Sequence, residues 1–198
     1  MPTMKSLTFS FPLLLLAGLA SLPSLACGSS SSDPAKVYVT STLGLNTMPG
    51  ATGTCNIMTP EASFFTIGTP GAPAPTGTSE NGETVNVTCA VDQVSGGDYE
   101  VNIQVSDGEL YGLTISGTIN STPGAVQSNI TAGFNKLNSS NYTESDCTLT
   151  LSTDQNFQPP ILGGRIAASI ICPTITDDGA NPVEVCYATA TFFLENCN

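Results

Sequence analysis

Residues 83–120 alternate apolar and polar side chains through three successive runs, and no other part of the chain restricts its fold so tightly. In 83–91, Val85, Val87, Cys89 and Val91 fall on one face of an extended strand. In 98–106, Tyr99, Val101, Ile103 and Val105 do the same against Glu100, Asn102 and Gln104. In 109–120, Tyr111, Leu113, Ile115 and Ile119 line one side. A period of two marks strands with one buried and one wet face. The breaks between runs are turn formers. Asn81-Gly82 and Asp107-Gly108 suit type I′ turns, whose two central residues need positive φ, and Ser95-Gly96-Gly97 turns the chain between the first two strands. An antiparallel meander is the expectation.

The rest of the chain carries the same signal in shorter pieces. Residues 36–42 read as a first strand, with 55–58 and 63–67 as shorter candidates. Residues 68–81 are rich in Pro, Gly and Thr and read as a loop too poor in side-chain volume to join the core. Thr122-Pro123-Gly124 interrupts the alternation, which resumes in 126–134 with Val126, Ile130, Ala132 and Phe134 on one face. Residues 135–144 read as a polar loop, after which Cys147, Leu149 and Leu151 alternate again. Residues 165–172 and 185–194 are apolar on both faces, as central strands are. About nine or ten short strands, no helical periodicity and no internal repeat predict a mainly β fold, an antiparallel sandwich or barrel-like sandwich formed by one domain over 36–198.

Seven cysteines bear on how that domain is held and where it lives. Six of them, Cys55, Cys89, Cys147, Cys172, Cys186 and Cys197, form an even set with no C-x-x-C pair, which in an exported chain predicts three disulfides. Cys89, Cys147 and Cys172 sit in phase with apolar faces, so their bridges are expected between strands. Six cysteines allow 15 pairings. Proximity along the chain suggests Cys55 with Cys89, Cys147 with Cys172, and Cys186 with Cys197.

The seventh, Cys27, closes an apolar N-terminal stretch. Lys5 is the one charge of residues 1–10, and 13–20 is an apolar run too short to span a bilayer, so 1–26 reads as a signal peptide. Ser24-Leu25-Ala26 followed by Cys27 resembles the lipobox of bacterial lipoproteins, with Ser24 where that family favours Leu. The resemblance covers about the first thirty residues. It implies that Cys27 carries a diacylglycerol and becomes the new N-terminus, and that 27–35, with its serine run, is a flexible tether to the cell envelope. Because Gly28 is not the Asp that retains some of these proteins at the inner membrane, the resemblance points to the outer membrane. The same Ser24-x-Ala26 pattern also fits ordinary secretion, which leaves a secreted, unlipidated domain as the alternative.

Composition removes several chemistries. Histidine is absent, which excludes Ser-His-Asp and Cys-His catalysis and His-containing zinc sites. Sixteen acids and a net charge of −12 leave Lys36, Lys136 and Arg165 as the cations after residue 26, so nucleic acid is not an expected partner. Carboxylates are the plentiful reactive groups. Asp98 with Glu100, and Asp107 with Glu109, have the spacing that puts two acids on one strand face, as a hydrolase would need, but they flank hairpin turns, where acids are ordinarily solvated. Asp177-Asp178-Gly179 and Asp92 offer oxygens for calcium. No D-x-D-x-D-G loop accompanies them, and a polar turn accounts for the first three.

Of the tyrosines, Tyr99, Tyr111 and Tyr187 read as core, Tyr38 lies in the first strand, and Tyr142 reads as the most exposed aromatic, in a polar loop. Leu162-Gly163-Gly164-Arg165 lacks the lysine and context of a phosphate loop. Asn86, Asn120, Asn129, Asn138 and Asn141 head N-x-S/T sequons, which keep a glycosylated ectodomain open as a second context. The expectation is an envelope-anchored, non-enzymatic binding or structural module without cofactor or metal, its partners the membrane and a protein or glycan ligand. The alternatives are a secreted carboxylate-dependent hydrolase and a secreted adhesion domain.

Overall fold

The computed structural model describes residues 33–45, 54–55, 64–80, 82–108, 111–136 and 140–198. The signal region, Cys27, most of the tether, residues 56–58 of the second candidate strand, Ser63 of the third, Asn81, Glu109 and Asn138 lie outside the described residues.

Alternation becomes strand wherever it is regular. Twelve strands are described: β1 (Lys36–Leu45), β2 (Phe65–Ile67), β3 (Ala74–Pro75), β4 (Ser79–Glu80), β5 (Glu83–Gln93), β6 (Asp98–Asp107), β7 (Tyr111–Asn120), β8 (Val126–Lys136), β9 (Ser140–Leu151), β10 (Ile161–Leu162), β11 (Arg165–Asp177) and β12 (Glu184–Glu195). Eight are long, and β2, β3, β4 and β10 have two or three residues each. All pair antiparallel in the order β2-β1-β12-β11-β9-β8-β7-β6-β5-β4, with β3 on β1 and β10 on β11. The meander β5–β6–β7 appears as expected, and β11 and β12 are central. Their outward face is also covered: the Phe157 ring lies 4.9 Å from Phe193, and the Arg165 guanidinium lies 5.1 Å over the same ring. The connection after Asp107 is longer than a type I′ turn, because Asp107 stands opposite Tyr111. Glu80 opposite Glu83 keeps Asn81-Gly82 as a two-residue link.

The long sheet curls until its two edges meet, giving a nearly closed barrel of eight long strands around one core. That strand number leaves room for side chains and little else. The inward rows form a single apolar cluster that includes Val37, Val39, Ile67, Val101, Ile103, Leu113, Ile115, Phe134, Leu149, Ile170 and Phe192. Closure between β1 and β5 does not use a strand ladder. Residues 68–81, expected to stay out of the core as a loop, supply β3 and β4, and Ala74 is buried. They cross the gap: Thr76 N–H donates to Ala35 O (2.8 Å), Gly77 N–H to Val85 O (2.7 Å) and Val85 N–H to Thr78 O (2.9 Å). Further along β5, Gly164 N–H reaches Val91 O (3.0 Å) and Asn198 N–H reaches Cys89 O (3.0 Å).

One of three disulfides fastens the seam as well. Cys89 bridges Cys197 across the seam, Cys55 bridges Cys186 beside the Thr54–Glu184 contact, and Cys147 bridges Cys172. Three bridges are as predicted, and the Cys147–Cys172 pair is the one proximity identified. The Cys55–Cys89 and Cys186–Cys197 pairs are corrected. Cys186 stands near the start of β12 and Cys197 just past its end. Eleven residues of extended chain separate them by roughly 36 Å, where a disulfide spans at most about 7 Å between Cα atoms. Three disulfides place the folded domain in an oxidising, extracytoplasmic setting.

Extra residues in three neighbouring strands break the barrel's regularity. Between Gln127 and Ile130, β8 advances three residues while β9 retreats two. Between Ile130 and Ala132, β9 moves three for two. Between Cys172 and Ile175, β11 moves three against two on β12. Each such bulge reverses which residues face inward. Hence Val126, expected beside Ile130 on the inner face, is 69 % exposed. Ser140–Glu144, expected in a loop, belongs to β9. Pro173-Thr174-Ile175-Thr176, expected to lead into a turn, continues β11 to Asp177. Asn129, at the β8 bulge, takes φ 59°.

Candidate functional site

The bulges open a cleft on the outer wall. Thr131 of β8, Thr143, Glu144 and Ser145 of β9, Thr176 of β11 and Asp178 just beyond it line a depression of about 290 Å³. Its floor is built by the β9 bulge, which turns the Ser145 and Asp146 N–H groups away from the ladder. Glu144 answers both, its Oε1 accepting from Ser145 N–H (2.7 Å) and Asp146 N–H (3.1 Å). One carboxylate therefore stabilises the bulge and also borders the cleft. Across from it, the Thr176 hydroxyl donates to Thr143 O (3.5 Å), tying β11 to β9 where β11 resumes its pairing after its own bulge. The cleft is thus lined by four hydroxyl side chains and two carboxylates.

A part-buried polar pair stiffens the inner side of the same wall. Tyr142, next to Thr143, donates its hydroxyl to Glu184 Oε2. Asp177, next to Thr176, is buried opposite Glu184, and its Oδ1 accepts from Gly179 N–H (3.0 Å). The Tyr142 hydroxyl is pushed up to about 12, first by burial and then by the Glu184 carboxylate it donates to, with Asp177 adding to the effect and Ser140 opposing it.

A second depression, about 470 Å³, is lined by Thr66, Gly68, Thr69, Ala72 and Glu80 on the seam side. Its carboxylate is already engaged, Glu80 Oε2 accepting from Gly68 N–H (2.7 Å).

Apart from Asp178, which borders the cleft, the residues singled out from sequence fall elsewhere. Asp98 accepts from Asn120 Nδ2 (3.1 Å), and Glu100 is exposed opposite Asp92. Asp107 Oδ1 accepts from Tyr111 N–H (3.1 Å); burial chiefly, and Glu83 in part, raise its carboxyl above the usual range. Asp92, on β5, is not brought near Asp177-Asp178-Gly179, which closes the turn after β11. No metal-holding group of three or more acids or cysteines occurs among the described residues. Tyr99 is core, and Tyr111 packs in an aromatic group with Phe64 (5.0 Å) and Phe65 (6.4 Å). Tyr187 is corrected to the outer face, half-buried opposite Gly44. Tyr142 is corrected from exposed loop to core, at 2 % exposure. Gly164 serves the seam. Asn86, Asn120, Asn129 and Asn141 are all exposed.

Apart from Asp178, weighed as a calcium ligand, the cleft residues were not nominated from sequence. The available signal was a broken parity: Glu144-Ser145-Asp146 interrupts alternation between Tyr142 and Cys147, and Pro173-Thr174 does so between Cys172 and Ile175. No protein-family model, curated protein or solved structure matches this chain. Among the described residues, no helix is long and apolar enough to cross a membrane.

Proposed function

We propose that this chain is a lipoprotein of a bacterial envelope, held at the outer membrane through Cys27, and that its barrel is a non-enzymatic module binding a glycan in the Thr131–Thr143–Thr176 cleft. The observation that carries the reading is the cleft itself: hydroxyls and carboxylates, set by paired bulges on an outward wall, offer the donors and acceptors a sugar ring requires. Its volume lies just below the usual range for small-molecule sites, so it suits one terminal sugar of a larger ligand. The net charge of −12 selects neutral or cationic glycans over anionic ones. It also disfavours nucleic acid, and the cations Lys36 and Arg165 are already engaged by Glu195 and Phe193. The lipid anchor is supported by the odd cysteine at the end of the apolar leader and by the even set bridged elsewhere.

A second reading is favoured by one specific observation. Glu144 and Asp178 share the cleft, and two acids across a sugar are the equipment of a glycoside hydrolase. One experiment separates the two. The purified protein is screened against neutral glycans for retention, and retained glycans are incubated and examined for cleavage. Retention without new reducing ends, lost in Thr143→Val/Thr176→Val, is expected. Cleavage abolished by Glu144→Gln or Asp178→Asn would establish the hydrolase instead. For the anchor, Cys27→Ser should abolish lipid labelling and release a folded domain, and an unlabelled wild type would establish the secreted alternative.

A further inference from the structure

We propose that the Cys147–Cys172 disulfide is a positioning element of the cleft: it sets the spacing of the two lips and, through that spacing, the affinity for ligand. The ligand rests on the glycan reading above; the geometry stands without it. The lips belong to different strand pairs. Thr143 and Glu144 of β9 are held to β8, where they stand opposite Gly133 and Ala132. Thr176 of β11 is held to β12, where Ile175, Thr176 and Asp177 stand opposite Cys186, Val185 and Glu184. Between β9 and β11 the register runs from Ala168–Leu151 to Ile171–Thr148, lapses over 172–175 and 144–147, and resumes at Thr176–Thr143. Among the described residues, that one position is where backbone register joins the lips. The hydroxyl contact beside it, from Thr176 to Thr143 O, is long at 3.5 Å.

Two side-chain links cross the split. Cys147–Cys172 lies inside the lapse itself and holds β9 and β11 with their Cα atoms 4.4 Å apart. Cys147 Sγ also lies 3.9 Å from Glu144 O, so the bridge touches the residue whose carboxylate stabilises the β9 bulge and borders the cleft. From the inner side, the Tyr142 hydroxyl on Glu184 ties β9 to β12. The Thr176 hydroxyl lines the cleft, so an arriving sugar competes for its hydrogen bond. The disulfide is indifferent to that competition. Both of its cysteines are fully buried, out of reach of attacking thiols, which makes the link a fixed strut and not a redox switch. A site whose spacing is set before the ligand arrives spends less binding energy on ordering.

The test sets binding against stability. The probes are neutral oligosaccharides printed as an array, and affinity is measured for those the wild type retains. Cys89→Ala/Cys197→Ala, at the seam, should melt lower yet keep the wild-type affinity. Cys147→Ala/Cys172→Ala should melt higher than the seam variant yet lose roughly tenfold or more in affinity, as a site loosened by about 1 Å does. Spacing is read without ligand from the nuclear Overhauser effect between the γ-methyls of Thr143 and Thr176, register partners whose Cβ atoms stand about 5 Å apart. It should weaken in Cys147→Ala/Cys172→Ala and persist in the seam variant. An unchanged effect in the folded Cys147→Ala/Cys172→Ala protein overturns the strut, and a weakened effect with unchanged affinity overturns its bearing on ligand. Equal affinity losses in the two disulfide variants overturn it as well. Should Cys147→Ala/Cys172→Ala not fold, Tyr142→Phe, which keeps every bridge and removes the inner link, takes its place, and wild-type spacing and affinity there overturn the proposal. If the wild type retains no oligosaccharide, the glycan reading falls and the Thr143–Thr176 effect alone decides the strut.

Discussion

Tyr142 stands in the core with its hydroxyl on Glu184, and that pair governs how the protein meets alkali. A phenolate there would face the Glu184 carboxylate, with Asp177 nearby, out of water, so the folded state holds the phenolic proton more tightly than the unfolded chain does. A folded-state value of about 12 lies above the ordinary 10. The stability tied to this proton is therefore complete below pH 10 and is lost as pH rises toward 12. Denaturant titrations across that window should show the wild type weakening, and Tyr142→Phe should weaken less. At pH 7, removing a hydrogen bond to a carboxylate should cost Tyr142→Phe about 1.5–3 kcal/mol. If both proteins have the same alkaline profile, Tyr142 does not titrate as the geometry requires. From sequence, Tyr142 looked exposed because Asn141, Thr143 and Glu144 surround it. Its burial depends on an extra residue at Ser145-Asp146, which reverses the inward face between Tyr142 and Cys147 without changing the composition of either segment.

The same limit runs through the elements. The strands of the meander were legible because alternation there is unbroken, and β11 and β12 were legible as central because both faces are apolar. The bulges were missed, since a break in a two-residue period reads equally well as a loop or turn, and the cleft they open was hidden with them. Seam closure was hidden for a different reason: it relies on backbone groups of short segments, on which side-chain pattern is silent. Gly164 is its most sensitive point. Its N–H donates to Val91 O, its carbonyl accepts from Cys197 N–H (2.9 Å), its φ is 80°, and a Cβ there would lie 2.8 Å from Cys197 O. Gly164→Ala should therefore lose about 2 kcal/mol or more in denaturant unfolding, from the left-handed backbone and the clash with a main-chain atom that cannot rotate aside. Gly71→Ala is the matched control, because nothing lies within 4 Å of its added methyl, and it should be near neutral or slightly stabilising. Equal effects at the two positions would show that the seam tolerates displacement.

At the scale of the molecule, the number of bridges could be read from the cysteine count, but their partners could not. Pairing follows how the sheet closes. Cys89 and Cys197, 108 residues apart, meet at the seam; Cys55 and Cys186, 131 apart, tie the segment before β2 to the start of β12; and Cys147 and Cys172, 25 apart, staple neighbouring strands at the line of bulges. Loop-closure entropy then ranks them: constraining the unfolded chain is worth about 5 kcal/mol for each long loop and about 3.5 kcal/mol for the short one. The seam bridge has a second role, since it holds the tail whose Asn198 N–H and Cys197 N–H bond Cys89 and Gly164 across the gap. Cys89→Ala/Cys197→Ala should accordingly lower the melting temperature more than Cys147→Ala/Cys172→Ala, and full reduction should lower it by at least roughly ten degrees. Thiol titration of the unfolded, unreduced wild type should find no more than one reactive thiol per chain. Several thiols would show the bridges to be incomplete. A larger loss from the Cys147–Cys172 variant would place the molecule's weakest point at the bulged wall, next to the cleft, and not at the seam.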